Sequence, residues 1–182
     1  MKAKPAILLL AIIFVGPIVV SWLMVNSDID WAERGLSNHG VLIRPPINLS
    51  NESSATTLFE YAELAPGHWA IISLENDICR EACRERVDKL SLIRSVIGSA
   101  QDRLHAFALA PENPSEQTGI LVDQQAATTL GALLTRGQTN VSLPQFIVVD
   151  WRQQLMLRFP PDTPPDDIKD DLAKLLRASK IR

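Results

Sequence analysis

Cysteine, histidine, glycine and aromatic residues are all scarce in this 182-residue chain, which has 2 Cys, 3 His, 8 Gly and 5% aromatics. Each scarcity excludes something. Two cysteines cannot build a disulfide framework; they suffice for one bridge, one redox pair or part of one metal site. No glycine-rich run of the phosphate-cradling kind occurs, and neither G-x-S-x-G nor H-E-x-x-H is present. The aromatics are too few for a base-stacking platform. A net charge of −3 lacks the basic surplus of a duplex-binding protein. What the chain does have is apolar material, 46% of its residues, enough to bury a core. One domain of average size is expected.

That apolar material is unevenly spread. No charged residue occurs from Pro5 to Ser27. The core of that run, residues 7–25, would rise about 28 Å as a helix, close to the hydrocarbon thickness of a bilayer. Pro17 inside it is tolerated in membrane helices, and Trp22 and Trp31 suit the interface at its outer end. Lys2 and Lys4 precede the run; Asp28 and Asp30 follow it. Positive charge stays inside, so residues 1–5 are expected in the cytoplasm, 6–26 as a single anchor in the cell inner membrane, and the remainder in the periplasm. A cleaved signal peptide would need a small-x-small site, which Trp22-Leu23-Met24-Val25-Asn26 does not offer. All acidic residues lie beyond the anchor, in a compartment oxidising enough for a disulfide.

Residues 27–44 read as a connector leading to a first short strand at Val41-Leu42-Ile43, stopped by Arg44-Pro45-Pro46. Residues 45–182 are the exported domain, beginning with a polar surface loop at 48–57. Residues 69–74 (Trp-Ala-Ile-Ile-Ser-Leu) read as a buried strand after the Pro66-Gly67 turn. A helix follows with Val87, Leu90, Ile93 and Ile97 on one face, joined by Leu92 and Val96, and stops at Gly98. Residues 104–110 form a second strand, 123–134 a helix, and 144–149 and 155–159 a final strand pair. The last helix has Thr163 as cap, prolines in its first turn and an apolar stripe at Ile168, Leu172, Leu175 and Leu176. Phe107 and Phe146 join Val87, Leu90, Ile93 and Leu172 as core candidates. Glu112, Glu116 and the acids from Asp162 to Asp171 read as solvated charges, and Asp150 as a turn former. The first two buried strands, joined by a helical crossover, should be parallel and the last two antiparallel. The fold class is α/β, a mixed sheet covered by helices.

Cys79 and Cys83 sit where the first buried strand ends and a helix begins. A helix start carries unpaired amides and partial positive charge, which favour a thiolate. A thiolate is the nucleophile of disulfide exchange and a ligand for soft metals such as Cu(I). Arg80 and Arg84 would lower the thiol pKa, and Asp77 and Glu81 would oppose them. His68 and His105 lie at the starts of parallel strands, about 15–20 Å from the cysteines, and His39 lies toward the membrane. None of the three is expected as a ligand, and Met156 is expected in the core.

The element order and the Cys79-x-x-x-Cys83 pair after a buried strand resemble the Sco/SenC group of membrane-anchored, copper-related thioredoxin-like proteins. The single anchor is similar too. Ser142-Leu143-Pro144 stands where thioredoxin-like folds carry a cis proline facing the cysteines, which implies that Pro144 faces the substrate. The stretch Asn38-His39-Gly40-Val41-Leu42-Ile43-Arg44-Pro45-Pro46 resembles small anchored proteins of cytochrome oxidase biogenesis. Two departures are visible. Arg80 and Arg84 replace the prolines that follow the cysteines in Sco-type motifs, and residues 138–143 contain no histidine where Sco-type copper sites have one. The resemblance implies a thioredoxin-like fold and a membrane oxidase subunit, or another copper or thiol protein, as partner. Three roles stay open. Cys79 attacks and Cys83 resolves in thiol–disulfide exchange; or both hold Cu(I) as a metallochaperone; or they form a structural bridge in a docking protein. Closing so short a loop removes little unfolded-state entropy, which argues against stability alone as the reason for the pair.

Overall fold

The computed structural model describes residues 3–26, 38–52, 55–114, 118–136 and 141–179, without the side chains of 3–11, 24–26 and 57. Residues 1–2, most of the connector (27–37, with Trp31), Glu116, Gln138–Asn140, Lys180 and Arg182 lie outside this description. The chain divides into two units, residues 1–37 and 38–182. In the first, α1 runs from Ala3 to Asn26 with Pro17 inside it. Among the described residues no helix is long and apolar enough to cross a membrane. The part of α1 with described side chains, residues 12–23, covers only about 18 Å of helix.

The second unit is built on one sheet, six-stranded among the described residues, in the order β1-β6-β5-β2-β3-β4. The strands are β1 Val41–Asn48, β2 Trp69–Leu74, β3 Leu104–Ala110, β4 Ile120–Val122, β5 Gln145–Asp150 and β6 Gln154–Phe159. The helices are α2 Thr56–Ala62, α3 Glu81–Val96, α4 Gln124–Thr135 and α5 Pro165–Ala178, with a 3-10 turn at Gly98–Arg103. As expected, β2 and β3 are parallel and β5 and β6 antiparallel. β2 lies between β3 and β5, and every residue of β2 and β5 is buried. A strand covered on both faces needs apolar residues throughout rather than in alternation, which is the pattern of Trp-Ala-Ile-Ile-Ser-Leu.

Alternate side chains feed two cores. Ala70, Ile72, Leu74, Ile147 and Val149 pack with Leu58 of α2 and Leu130 and Leu134 of α4. Trp69, Ile71, Phe146 and Val148 pack with Leu90 and Ile93 of α3 and Ile168, Leu172 and Leu176 of α5. Period-two alternation on the strands and three- and four-residue steps on the helices produce these layers.

Several expectations are corrected. β1 does not stop at Arg44-Pro45-Pro46. It continues to Asn48, through a register shift between Leu42 and Ile47, with a cis Arg44–Pro45 bond. β1 is an edge strand, where a missing N–H costs no ladder bond. The expected surface loop at 48–57 contains buried Leu49 and Ala55 and leads straight into α2. Leu92 and Val96 do not join the buried stripe of α3; they are 54% and 53% exposed. The three-residue β4 was too short for a periodicity signal. Thr163 does not cap α5, whose N-cap is Pro164; the Thr163 carbonyl instead accepts a bond from the Lys89 ammonium.

Asp171 is the sharpest departure. Read as a solvated charge, it is buried, and its Oδ2 accepts bonds from the backbone N–H groups of His39 (2.6 Å) and Gly40 (2.9 Å). This carboxylate ties the start of the second unit to α5. Gly40 lies so close to Phe159 that a Cβ there would meet the ring at 2.5–2.9 Å. Gly40→Ala is therefore expected to destabilise by about 1–3 kcal/mol through overpacking. Asp171→Ala should cost a similar amount, about 1.5–3 kcal/mol for lost charge-assisted bonds. Urea unfolding checks both, and wild-type midpoints would refute the clamp.

Candidate functional site

β2 ends at Leu74, and five residues later Cys79 lies just before α3. Arg80 is the N-cap of α3, in an extended conformation, and makes no side-chain cap. Cys79 therefore stands outside the helix, while Cys83 is in its first turn. The two are joined in a disulfide with Cα atoms 5.2 Å apart, inside the range a bridge requires. The extended residue at the helix boundary lets two cysteines four apart meet.

Both cysteines are enclosed, Cys79 fully and Cys83 to 3% exposure. Val87 of α3, Ala108 and Ala110 of β3 and Ile120 of β4 surround them. The Cys79 N–H donates to the Glu112 carbonyl at 2.9 Å, fixing the pair against the loop after β3. α3, β3 and Ile120 of β4 thus enclose the bridge.

The residues expected to tune the thiols all lie at the surface. Arg80, Arg84, Asp77 and Glu81 are exposed. The charge that is buried at this end of the sheet is Glu75, immediately after β2. Its Oε1 accepts bonds from the Ser73 hydroxyl (2.6 Å) and Arg86 Nε (2.9 Å), and its Oε2 pairs with Arg86 Nη2. A buried carboxylate persists only when paired and hydrogen-bonded, and this fork supplies both. The sequence signal was an acid directly after an unbroken apolar strand, with an arginine on the following helix.

The register places Gln145 opposite Leu74, so the Leu143–Pro144 segment borders the same end of the sheet as the cysteines. The Leu143–Pro144 bond is cis. Gln145 is buried; its Nε2 donates to the Ser142 carbonyl at 2.7 Å, and its Oε1 has no partner among the described residues. Beside it, a cleft of about 300 Å³ is lined by Glu75, Asn76, Pro111, Gly131, Thr135 and Leu143.

The remaining candidates lie elsewhere. Asp150 is a turn former as expected, its Oδ1 accepting from the N–H groups of Arg152 and Gln154, both at 2.9 Å. Met156 packs partly buried against the second core. His39 Nδ1 is 3.6 Å from Asp167 Oδ1. His68 and His105, expected as ordinary surface or strand-end residues, are brought together with ring nitrogens 3.1 Å apart. Among the described residues no group of three or more His, Cys, Asp or Glu is placed to hold a metal ion. The donor set at the cysteines is two sulfurs, which after reduction fits a soft two-coordinate ion such as Cu(I) rather than a histidine-requiring Cu(II) site.

Arg86→Met is expected to cost about 3–5 kcal/mol, because it leaves Glu75 buried and unpaired. Adding Glu75→Leu should recover most of that loss in denaturant unfolding. Equal stability of the single and double variants would show that the pair does not act as a unit.

No curated protein sequence matches this chain. Solved structures similar to it include copper-bound ScoI of Bradyrhizobium japonicum, at 11% identity over 59% of this chain and 85% of that one, TM-score 0.41. The thioredoxin domain of a thiol-disulfide oxidoreductase from Bacteroides vulgatus is similar at 10% identity, 61% and 81% coverage, TM-score 0.39. BsSco, described as a member of the Sco family of cytochrome c oxidase assembly proteins with a disulfide switch, is similar at 11% identity, 64% and 83% coverage, TM-score 0.41. The family described as the transmembrane-like, thioredoxin-like, C-terminal domain matches residues 69–179, from the first residue of β2 to the end of α5. The chain belongs to this transmembrane-like, thioredoxin-like family, and its mixed sheet flanked by helices is a thioredoxin-like α/β fold.

Proposed function

We propose that this protein is a membrane-anchored thiol–disulfide exchange protein whose working pair is Cys79 and Cys83. The observation that carries the reading is the position of the bridge. It spans the junction between a fully buried central strand and the first turn of α3, at the end of the sheet bordered by Pro144. The amides of that first turn favour a thiolate, and a loop this short gains little stability from closure.

In this reading residues 6–26 hold the protein in the inner membrane, N-terminus cytoplasmic and the domain at 45–182 periplasmic. The Cys79 thiolate attacks a partner disulfide, forming a mixed disulfide and releasing one partner thiolate. The Cys83 thiolate then attacks Cys79 Sγ, releasing the second partner thiolate and re-forming the bridge. The partner gains two electrons and takes its two protons from solvent. The pair ends oxidised, so an exported dithiol reductant must recharge it. Pro144 and the cleft beside it flank the incoming chain. The loop at 111–114 has to move, because the sulfurs are covered. The partner class that the resemblance supports is a membrane oxidase subunit whose copper-site thiols must be reduced, or another copper or thiol protein. Holding Cu(I) between the reduced sulfurs is the alternative use of the same pair.

The burial of both cysteines favours a second reading, a structural bridge in a docking protein. The reduction potential separates the two. The full chain is equilibrated against dithiothreitol couples and scored by thiol alkylation. Exchange predicts a potential well above about −300 mV; a structural bridge lies below that. Anaerobic Cu(I) titration of the reduced chain tests the copper role. One-to-one binding lost in both Cys79→Ser and Cys83→Ser would support it.

A further inference from the structure

The His68–His105 pair lies at the opposite end of the sheet from the disulfide. His68 immediately precedes β2, while Cys79 follows it; the six-residue strand between them spans about 20 Å. Two features of the backbone bring the rings together. The parallel register sets Ala70 opposite His105. The turn at Gly67, whose φ is +84°, returns the chain so that the His68 N–H bonds the Ala65 carbonyl at 2.9 Å. His68 Nδ1 and His105 Nε2 then lie 3.1 Å apart, with the rings stacked at a centroid distance of 5.4 Å.

Two facing imidazole nitrogens share a single proton, and one of them must present its lone pair. Partial burial, His68 and Arg94 all hold the His105 ring below the usual imidazole pKa, with Glu63 opposing them. A neutral imidazole is the form that ligates metal. Two nitrogens bound at about 2.0–2.1 Å to one tetrahedral ion would lie about 3.3 Å apart, close to the separation found here. Glu63, on the turn that ends α2, supplies negative charge near the rings.

We propose that His68 and His105 form a two-imidazole site for a divalent ion of the zinc and copper class, with solvent completing the coordination and the Glu63 charge acting only through space. The ion takes the place of the shared proton, which moves by way of solvent to the other nitrogen of the donor ring, so both imidazoles stay neutral and no net proton is released. The site needs no thiolate, so it is available while Cys79 and Cys83 are bridged, and it does not depend on the exchange reading.

The test is calorimetric titration with Zn(II) of the full chain in detergent, with the bridge intact, at pH 7.5. One ion per chain is expected, with at least tenfold weaker binding in His68→Gln and in His105→Gln. A smaller weakening is expected in Glu63→Gln, and no change in His39→Gln. Histidine ring resonances of the wild-type chain provide the measurement that needs no variant: zinc should shift those of His68 and His105 and leave His39 in place. Absence of one-to-one binding, equal affinity in both pair variants, or a shift confined to His39 would overturn the proposal.

Discussion

The pairing of β2 with β5 on one side and β3 on the other is the constraint on which the rest of the second unit depends. All six residues of β2 are buried, and both ladders run its full length. That register does more than stabilise. At one end it sets Gln145, and with it Pro144, opposite Leu74, five residues before Cys79. At the other it sets His105 opposite Ala70, two residues from His68. A slip of one residue would turn every β2 side chain to the other core and break both arrangements.

The helices translate that ladder into a site. α3 packs Leu90 and Ile93 onto one face and carries Arg86 and Cys83 at the end nearest the strand's terminus. Arg86 reaches Glu75 just after the strand while Cys83 reaches Cys79 in the loop, so a salt bridge and a disulfide hold the same junction. Exchange chemistry here would depend on motion of the loop after β3, whose Glu112 carbonyl holds the Cys79 backbone, rather than on motion of the helix.

Much of this was legible in the sequence. The limits of β2 and β3, the parallel crossover, the final hairpin and the position of the cysteines followed from apolar runs, helical spacing and turn residues. What was missed depended on partners distant in the chain. Asp171 sits among four other acids (Asp162, Asp166, Asp167 and Asp170), and nothing local marks it as the acceptor for His39 and Gly40, over 130 residues away. Glu75 needed Arg86, and His68 needed His105; each pair is made by packing. β1 continues through two prolines because it is an edge strand, and edge position is a property of the whole sheet. The burial of both cysteines depends on β4, whose three residues carry no periodicity.

The central claim is that Cys79 and Cys83 exchange disulfides with another exported protein. Trapping in native membranes tests it most directly. Membranes carrying Cys83→Ser are quenched with acid and alkylated, then run without reductant, beside Cys79→Ser and the double variant. The account predicts a reductant-sensitive adduct with a second protein in Cys83→Ser, weaker in Cys79→Ser and missing in the double variant. Absence of any adduct in either single variant, with both proteins folded and in the membrane, would contradict it.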